Sequence, residues 1–436
     1  MRKLVASLLL AIALSAPAHV TAETVLEKVV IFSRHGVRPP TSQKALDPLS
    51  IDAWPSWPVP DGNLTPHGAA AATLMGQHFR TLYVGPQFID PSACPTTDDV
   101  FAWADKSERT RATATAILAG LFPGCGLAAG FNPATADALF HPTDAGIAPL
   151  DAEVAKAAVL AAMGGDQRSA KKRYAADFAQ LAAVLRGPTP LACMKARLGA
   201  TCRLIDLPWS IRIATEEGNQ LTLEGPLADA STVGEIIRLE YSGGMPPDQV
   251  GWGRIKTAAD VKAVLSLHKA QYDVTLRVPY IAKRNASQIL NQIALALEQG
   301  TDLAGASEQG PPPSKLLLMV GHDSNIATMQ AALGVEWQLE GYPANDTPPG
   351  GAIVFERSRD TVTNKRSVRA YYTAQTTDQI RNLIPPFGDG RPRDAALTLP
   401  GCPHRAKICE LTDFFKGLES RIDRSATGPV SYQAAR

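Results

Sequence analysis

The chain reads as an α/β protein whose core is interrupted by a mostly α-helical cap, and three observations carry that reading. Apolar runs that end in polar, glycine-containing loops occur near both ends of the chain, at Val29–Phe32 and Leu316–Val320. Such runs are buried strands, and open α/β sheets place ligands outside the carboxyl ends of their strands. Further strand-like runs lie at Val100–Ala104, Ala352–Arg357 and Ser367–Thr376, whereas the middle of the chain shows helical periodicity. With 436 residues and 45% hydrophobic content, the chain can bury one large core or two smaller ones. The division expected is an α/β part over 23–149 and 273–436, with the cap over 150–272.

Taken in order, the chain begins with Arg2-Lys3, an apolar run from Leu4 to Leu14 and the small-x-small pattern Val20-Thr21-Ala22. Residues 1–22 therefore read as a signal peptide, too short for a convincing transmembrane helix. The expected destination is the periplasm or the exterior, with no stable membrane association once the segment is removed. The first strand then leads into Arg34-His35-Gly36-Val37-Arg38-Pro39-Pro40-Thr41. Two guanidiniums present forked donors to phosphoryl oxygens, and an imidazole with a free ring nitrogen can attack phosphorus. Gly36 is expected to let the backbone turn so that both arginines aim at one point.

The run ending at Ala104 passes through Asp105 into a helix rich in Ala and Thr, with Arg109 near its first turn. A helix start carries unpaired N–H groups and partial positive charge, which an arginine there reinforces for an anion. The cap is expected to hold helices at Asp151–Met163, Lys171–Arg186, Ser231–Tyr241 and Ala258–Tyr272. Residues 305–313 are rich in Gly and Pro and read as a flexible connection. The run from Leu316 then ends in Gly321-His322-Asp323, repeating the architecture of the first strand and loop. An aspartate beside a cationic phosphate site can supply the proton that a leaving alkoxide needs. His67, His78, His141, His268 and His404 are scattered singly, without metal-ligand spacing.

These segments resemble the histidine acid phosphatases, the second branch of the histidine phosphatase superfamily, and within them the bacterial periplasmic phytases and glucose-1-phosphatases. The resemblance spans nearly the whole mature chain. It rests on Arg34-His35-Gly36-Val37-Arg38-x-Pro40, Glu108-Arg109-Thr110-Arg111, Gly251-Trp252-Gly253-Arg254-Ile255, Gly321-His322-Asp323 and Thr347-Pro348-Pro349-Gly350-Gly351-x-Ile353-Val354-Phe355-Glu356-Arg357. It implies a three-layer α/β phosphatase core with an inserted helical cap. It also implies His35 as nucleophile, Asp323 as proton donor, and Arg34, Arg38, Arg109 and His322 as the grip on the phosphate. Thr41 and Glu235 are implied at the substrate, Asp105 at the pocket rim, and no metal or cofactor. The implied reaction is hydrolysis of a small phosphate ester, phytate first and glucose 1-phosphate or a broad range second, by a monomer.

One position departs from the phytase pattern. A lysine usually follows the threonine matching Thr41 in the bacterial phytases, whereas this chain has Ser42, with Lys44 two residues on. A noncatalytic phosphoester-binding protein would keep the arginines but need no proton donor, so His35 and Asp323 together favour an enzyme.

Composition narrows the partners. Removing Arg2 and Lys3 takes the formal net charge from +1 to about −1, and the basic residues are dispersed, which argues against nucleic-acid binding. Six cysteines fit an oxidising compartment. Proximity in sequence and the family likeness favour Cys94–Cys125, Cys193–Cys202 and Cys402–Cys409.

Overall fold

The computed structural model describes residues 23–134, 136–214, 220–304 and 310–432. The expected signal segment, 1–22, lies outside the described residues, as does 305–309 of the Gly/Pro-rich connection. Ten strands are present among the described residues: β1 (Thr24–Arg34), β2 (Val100–Ala104), β3 (Gly130–Phe131), β4 (Ser210–Ala214), β5 (Gln220–Glu224), β6 (Leu316–Gly321), β7 (Ala352–Asp360), β8 (Arg366–Ala374), β9 (Arg393–Leu397) and β10 (Cys409–Glu410). Eight form one mixed sheet in the order β10-β8-β7-β1-β6-β2-β3, with β9 also paired to β8. β1, β6, β2 and β3 run parallel, and β7 to β10 join as antiparallel pairs.

β6 lies between β1 and β2. Its register sets Arg34 opposite Gly321 and Ala104 opposite Val320. The three segments singled out in the sequence therefore leave the sheet side by side at one edge.

Alternation along the strands divides the core between the two faces of the sheet. Val30, Phe32, Leu317 and Met319 face the helices Pro279–Glu298 and Asp323–Leu333. Val29, Ile31, Leu316 and Leu318 face the helices Pro66–Tyr83 and Glu108–Leu121. A third apolar cluster lies mostly between Leu150 and Ile281 and includes Val37 and Leu46 of the segment after β1.

That middle region differs in detail from the periodicity. Lys171–Arg186 is not one helix but parts of two, Gln167–Arg173 and Ala175–Ala182, because Tyr174 leaves helical geometry at ψ 8°. Ala258–Tyr272 likewise breaks at Leu265 into Ala258–Val264 and Ser266–Val274. β4 and β5 form an antiparallel hairpin inside the expected helical stretch. β8 ends two residues before Thr376, whose hydroxyl accepts from the Gln379 backbone N–H while the Gln379 side chain accepts from the Thr376 N–H. That reciprocal cap starts a helix where the strand was expected to continue.

The long helix Pro226–Ser242 connects the apolar cluster to the sheet edge, and two of its buried carboxyls differ sharply. Glu235 accepts from Arg34 and Arg238. Glu240 accepts from the Gly251 backbone N–H at 2.9 Å, and burial pushes its carboxyl up to about 8. The three disulfides are Cys94–Cys125, Cys193–Cys202 and Cys402–Cys409. Among the described residues no helix is long and apolar enough to cross a membrane.

Candidate active site

The loop after β1 is held from several directions. His35 N–H donates to the Gly321 carbonyl at 3.0 Å, and Gly36 N–H donates to the Thr113 hydroxyl at 2.9 Å. Thr65, the cap of helix Pro66–Tyr83, donates its hydroxyl to the Val37 carbonyl and accepts from Gly68 N–H. Gly36 serves packing rather than a left-handed turn. Its φ is not positive, and a Cβ there would lie 2.9 Å from Leu64 Cδ1 and 3.0 Å from the Gly68 carbonyl oxygen.

The His35 ring is buried, and its Nδ1 lies 2.9 Å from the Gly36 carbonyl oxygen. A carbonyl only accepts, so Nδ1 carries the proton and Nε2 keeps its lone pair. Burial, followed by the charges of Arg34, Arg38, Arg109 and His322, holds the proton affinity of His35 well below that of an ordinary imidazole. The site therefore favours the neutral ring.

Three guanidiniums surround it. Arg34 is fully buried, paired with Glu235 and with Asp323 Oδ2 at 2.9 Å, and it donates to the Thr347 carbonyl. Arg38 donates to its neighbour's carbonyl at Pro39 and lines the cavity in front of the loop. Arg109, in the first turn of Glu108–Leu121, brings Nη2 to 3.4 Å from His322 Nδ1. Burial and then the Arg38 charge bring its guanidinium down to about 10, still cationic at neutral and acidic pH.

Asp323 opens the helix Asp323–Leu333. Burial raises the proton affinity of its carboxyl, but the charges of Arg34 and then Arg38 outweigh that and hold it well below the usual range. Burial likewise opposes the charge on Glu235, while Arg238, Arg34 and His268 bring its carboxyl down to about 2. Arg238 is anchored in turn on Asp346 at 2.8 Å.

The cavity, about 440 Å³, is bounded by Arg38, Thr41, Glu235, His268, Tyr272 and Asp323, with Ser42 and Asp229 further out. Arg34, His35, Arg38, Arg109, His322, Asp323, Glu235 and Thr41 thus gather around one site. Asp105 does not belong to its rim. It is fully buried behind His322, its Oδ2 3.0 Å from His322 Nε2 and its Oδ1 3.2 Å from His141 Nε2. The strand end turns the side chain inward to accept from Ser107 N–H and its hydroxyl, at 3.1 and 2.6 Å.

Lys44 is exposed and is not among the cavity's bounding residues, while Ser42 accepts from Ala45 N–H and caps the short helix Gln43–Leu46. Two histidines that read as isolated in the sequence are engaged. His268 lies on the cavity wall, 3.0 Å from the Ser231 hydroxyl, and His141 contacts Asp105.

Asp105, His141 and His322 form the group among the described residues whose ligand atoms are close enough for a metal ion. Both imidazole Nε2 atoms already face the Asp105 carboxylate, and the Arg109 guanidinium touches His322. A cation there would displace the His322–Asp105 hydrogen bond, part His141 from the carboxylate and meet a positive neighbour, so the donor set fits a proton network better than a metal.

A neutral imidazole among buried guanidiniums at the carboxyl ends of the parallel strands of a mixed sheet defines a phosphate-handling enzyme. The sequence model of the histidine phosphatase superfamily (branch 2) matches residues 25–197 and 228–373, and the chain belongs to that family. It is 35% identical over 399 residues to phytase AppA of Escherichia coli (strain K12), covering 90% of this chain and 91% of that protein. It is 30% identical over 408 residues to a glucose-1-phosphatase of Providencia rettgeri, covering 92% and 93%. Among solved structures, the phytase of Klebsiella sp. ASR1 aligns with a TM-score of 0.82 at 30% identity, over 95% of this chain and 98% of that one. The Hafnia alvei phytase in complex with tartrate gives 0.81 at 37%, over 95% and 100%. The chain is therefore a phosphatase with an acid phosphatase/phytase function.

Proposed function

We propose that the enzyme hydrolyses phytate and smaller phosphate monoesters through a phosphohistidine on His35. The observation that carries this reading is the Nδ1 hydrogen bond to the Gly36 carbonyl, which leaves the Nε2 lone pair among Arg34, Arg38 and Arg109. In the first step Nε2 bonds to phosphorus as the ester P–O bond breaks, and the Asp323 carboxyl gives its proton to the departing alkoxide. In the second, water attacks the phosphohistidine, its proton passes to Asp323, and orthophosphate leaves. The arginines neutralise the charge of the transferring group, and His322 completes the grip beside Arg109. Asp323 is ionised in the empty site, so the anionic substrate must both engage Arg34 and raise the proton affinity of the carboxyl, which favours an acidic optimum. The region 150–272 acts as a cap that selects the alcohol, and the mature enzyme, freed of residues 1–22, works outside the cytoplasm.

Phytate is supported by the likeness to Escherichia coli phytase AppA and by the Hafnia alvei phytase, 36% identical, solved in complex with myo-inositol hexakis sulphate. Ser42, committed to a helix cap, and Lys44, outside the cavity lining, favour a second reading in which smaller sugar phosphates are the better substrates. Arg38 and His268 are the basic side chains along the lining. Phosphate release at about pH 4.5 from phytate, glucose 1-phosphate and an aryl phosphate separates the two. We expect phytate preference in the wild type. A preference for small esters, with phytate activity gained by Ser42→Lys, would establish the second reading instead.

A further inference from the structure

We propose that His141 is a positioning residue for His322, acting through the carboxylate of Asp105 that the two imidazoles share. Asp105 Oδ2 takes His322 Nε2 and both donors of Ser107, while Oδ1 faces His141 Nε2 at 3.2 Å. The His141 ring also packs on the His322 ring, with centroids 5.3 Å apart and planes tilted by 47°. His141 therefore pairs with the second oxygen of a buried carboxylate and packs on the ring that the first oxygen orients.

The consequence falls on the tautomer of His322. Its Nε2–H donates to Asp105, which turns Nδ1 toward Arg109 and the phosphate site. Without His141, Oδ1 would lose the imidazole paired with it, and the carboxylate could turn or take a proton, releasing His322 from one orientation. Buried groups behind a ligand commonly act in this way.

His141 also faces solvent, which Asp105 and His322 do not. Its side chain is 34% exposed and borders a second cavity of about 260 Å³ with Thr143, Asp144, Asn285, Ser324 and Thr328. The charged and titratable groups facing it are Asp105, Asp144, Asp137 and His322, with Arg109 beyond the last. Burial opposes charge on His141, but Asp105, then Asp144 and Asp137, raise its proton affinity above that of an ordinary imidazole. In the acidic range it is a cation, and its charge lowers the proton affinity of His322. The bulk pH thus reaches the phosphate grip through His141.

The inference rests on the phosphatase reading of His322, so its test combines an activity readout with one that needs no turnover. Wild type, His141→Phe and His141→Gln are compared by kcat/KM for an aryl phosphate against pH, and by the ring-nitrogen NMR signals of His322 in histidine-labelled protein. The phenylalanine variant is expected to lose about tenfold in kcat/KM and to show mixed tautomers at His322. Glutamine restores an N–H donor without the charge. It should recover to within about twofold at the optimum, with a single tautomer and a pH profile displaced upward. Wild-type tautomer and pH profile in either variant would overturn the proposal, as would equal losses in the two. A wild-type tautomer effect in an enzyme that proves to need no His35 would instead count against the mechanism and not against this positioning role.

Discussion

Glu235 and Glu240 sit five residues apart on one helix, both buried, and their environments drive them in opposite directions. At Glu235 the helix meets the sheet edge, where Arg34 and Arg238 bring the carboxyl down to about 2. At Glu240 it meets the loop around Gly251, which offers one backbone N–H and no cation, and burial pushes the carboxyl up to about 8. The phosphate cradle is a region of dense, mutually compensated charge, whereas the interior of the helical region tolerates a polar group only when it is neutral. Function explains the asymmetry: a site that receives a phosphate must keep its arginines fixed while empty, and Glu235 and Asp323 occupy them until substrate arrives.

The strongest way to break this contrast is at the nucleophile of the cradle. His35→Ala should lower kcat by about 10⁴-fold or more while leaving the melting transition nearly unchanged, because the ring contributes chemistry and a single hydrogen bond. Persistent turnover of an aryl phosphate would reject the mechanism. Next, Glu235→Gln takes one of two carboxylates from each of two buried guanidiniums, leaving Asp323 on Arg34 and Asp346 on Arg238, and should cost about 2–3 kcal/mol in urea unfolding. A loss under about 1 kcal/mol would mean that the cluster is not coupled as its geometry implies.

Glu240→Gln sharpens the contrast with the opposite sign. The Glu240 carboxyl is raised on folding, so the unfolded chain releases its proton near pH 4.5 and the folded chain only near 8. Stability is lost progressively as pH rises between those values, and the amide removes that loss. We expect a gain of about 3 kcal/mol at pH 7 and almost none at about pH 4, read from denaturation at both. Equal effects at the two pH values would show that the carboxyl is not held neutral. The smallest effect belongs to the cavity wall. Burial, then the charge of Glu224, pushes Asp229 up to about 6, so it repels anionic substrate only above that pH. Asp229→Asn should lower KM about threefold at pH 7 and leave it unchanged near pH 4.5.

What the sequence made legible followed from local pattern. β1, β2 and β6 are buried runs, and Arg34, His35, Arg109, His322 and Asp323 sit at or just beyond their carboxyl ends, where a strand–loop reading places them. The arrangement of Asp105 was hidden because its partners, His141 and His322, are joined to it only by the folded chain. Arg238 carries a local signal, since it stands three residues after Glu235, the spacing of a helical ion pair. The β4–β5 hairpin was also detectable in the alternation of Ile211, Ile213, Leu221 and Leu223, set inside a stretch dominated by helical periodicity. The breaks at Tyr174 and Leu265 carry no proline or glycine, so tertiary packing decides them.

The position of β6 has a consequence for synthesis. Strand neighbours in a sheet are about 4.8 Å apart, so β1 and β2 are separated by the width of one missing strand until Leu316–Gly321 arrives. A nascent chain that has not reached that segment holds His35 after β1 and Arg109 on the helix after β2 without the strand that sets the two in register, and it lacks His322 and Asp323 altogether. Hydrolytic power appears only when nearly three quarters of the polypeptide has been made and the last parallel strand has slotted between two earlier ones. Any product that stops short of that strand lacks the residues that would complete the site.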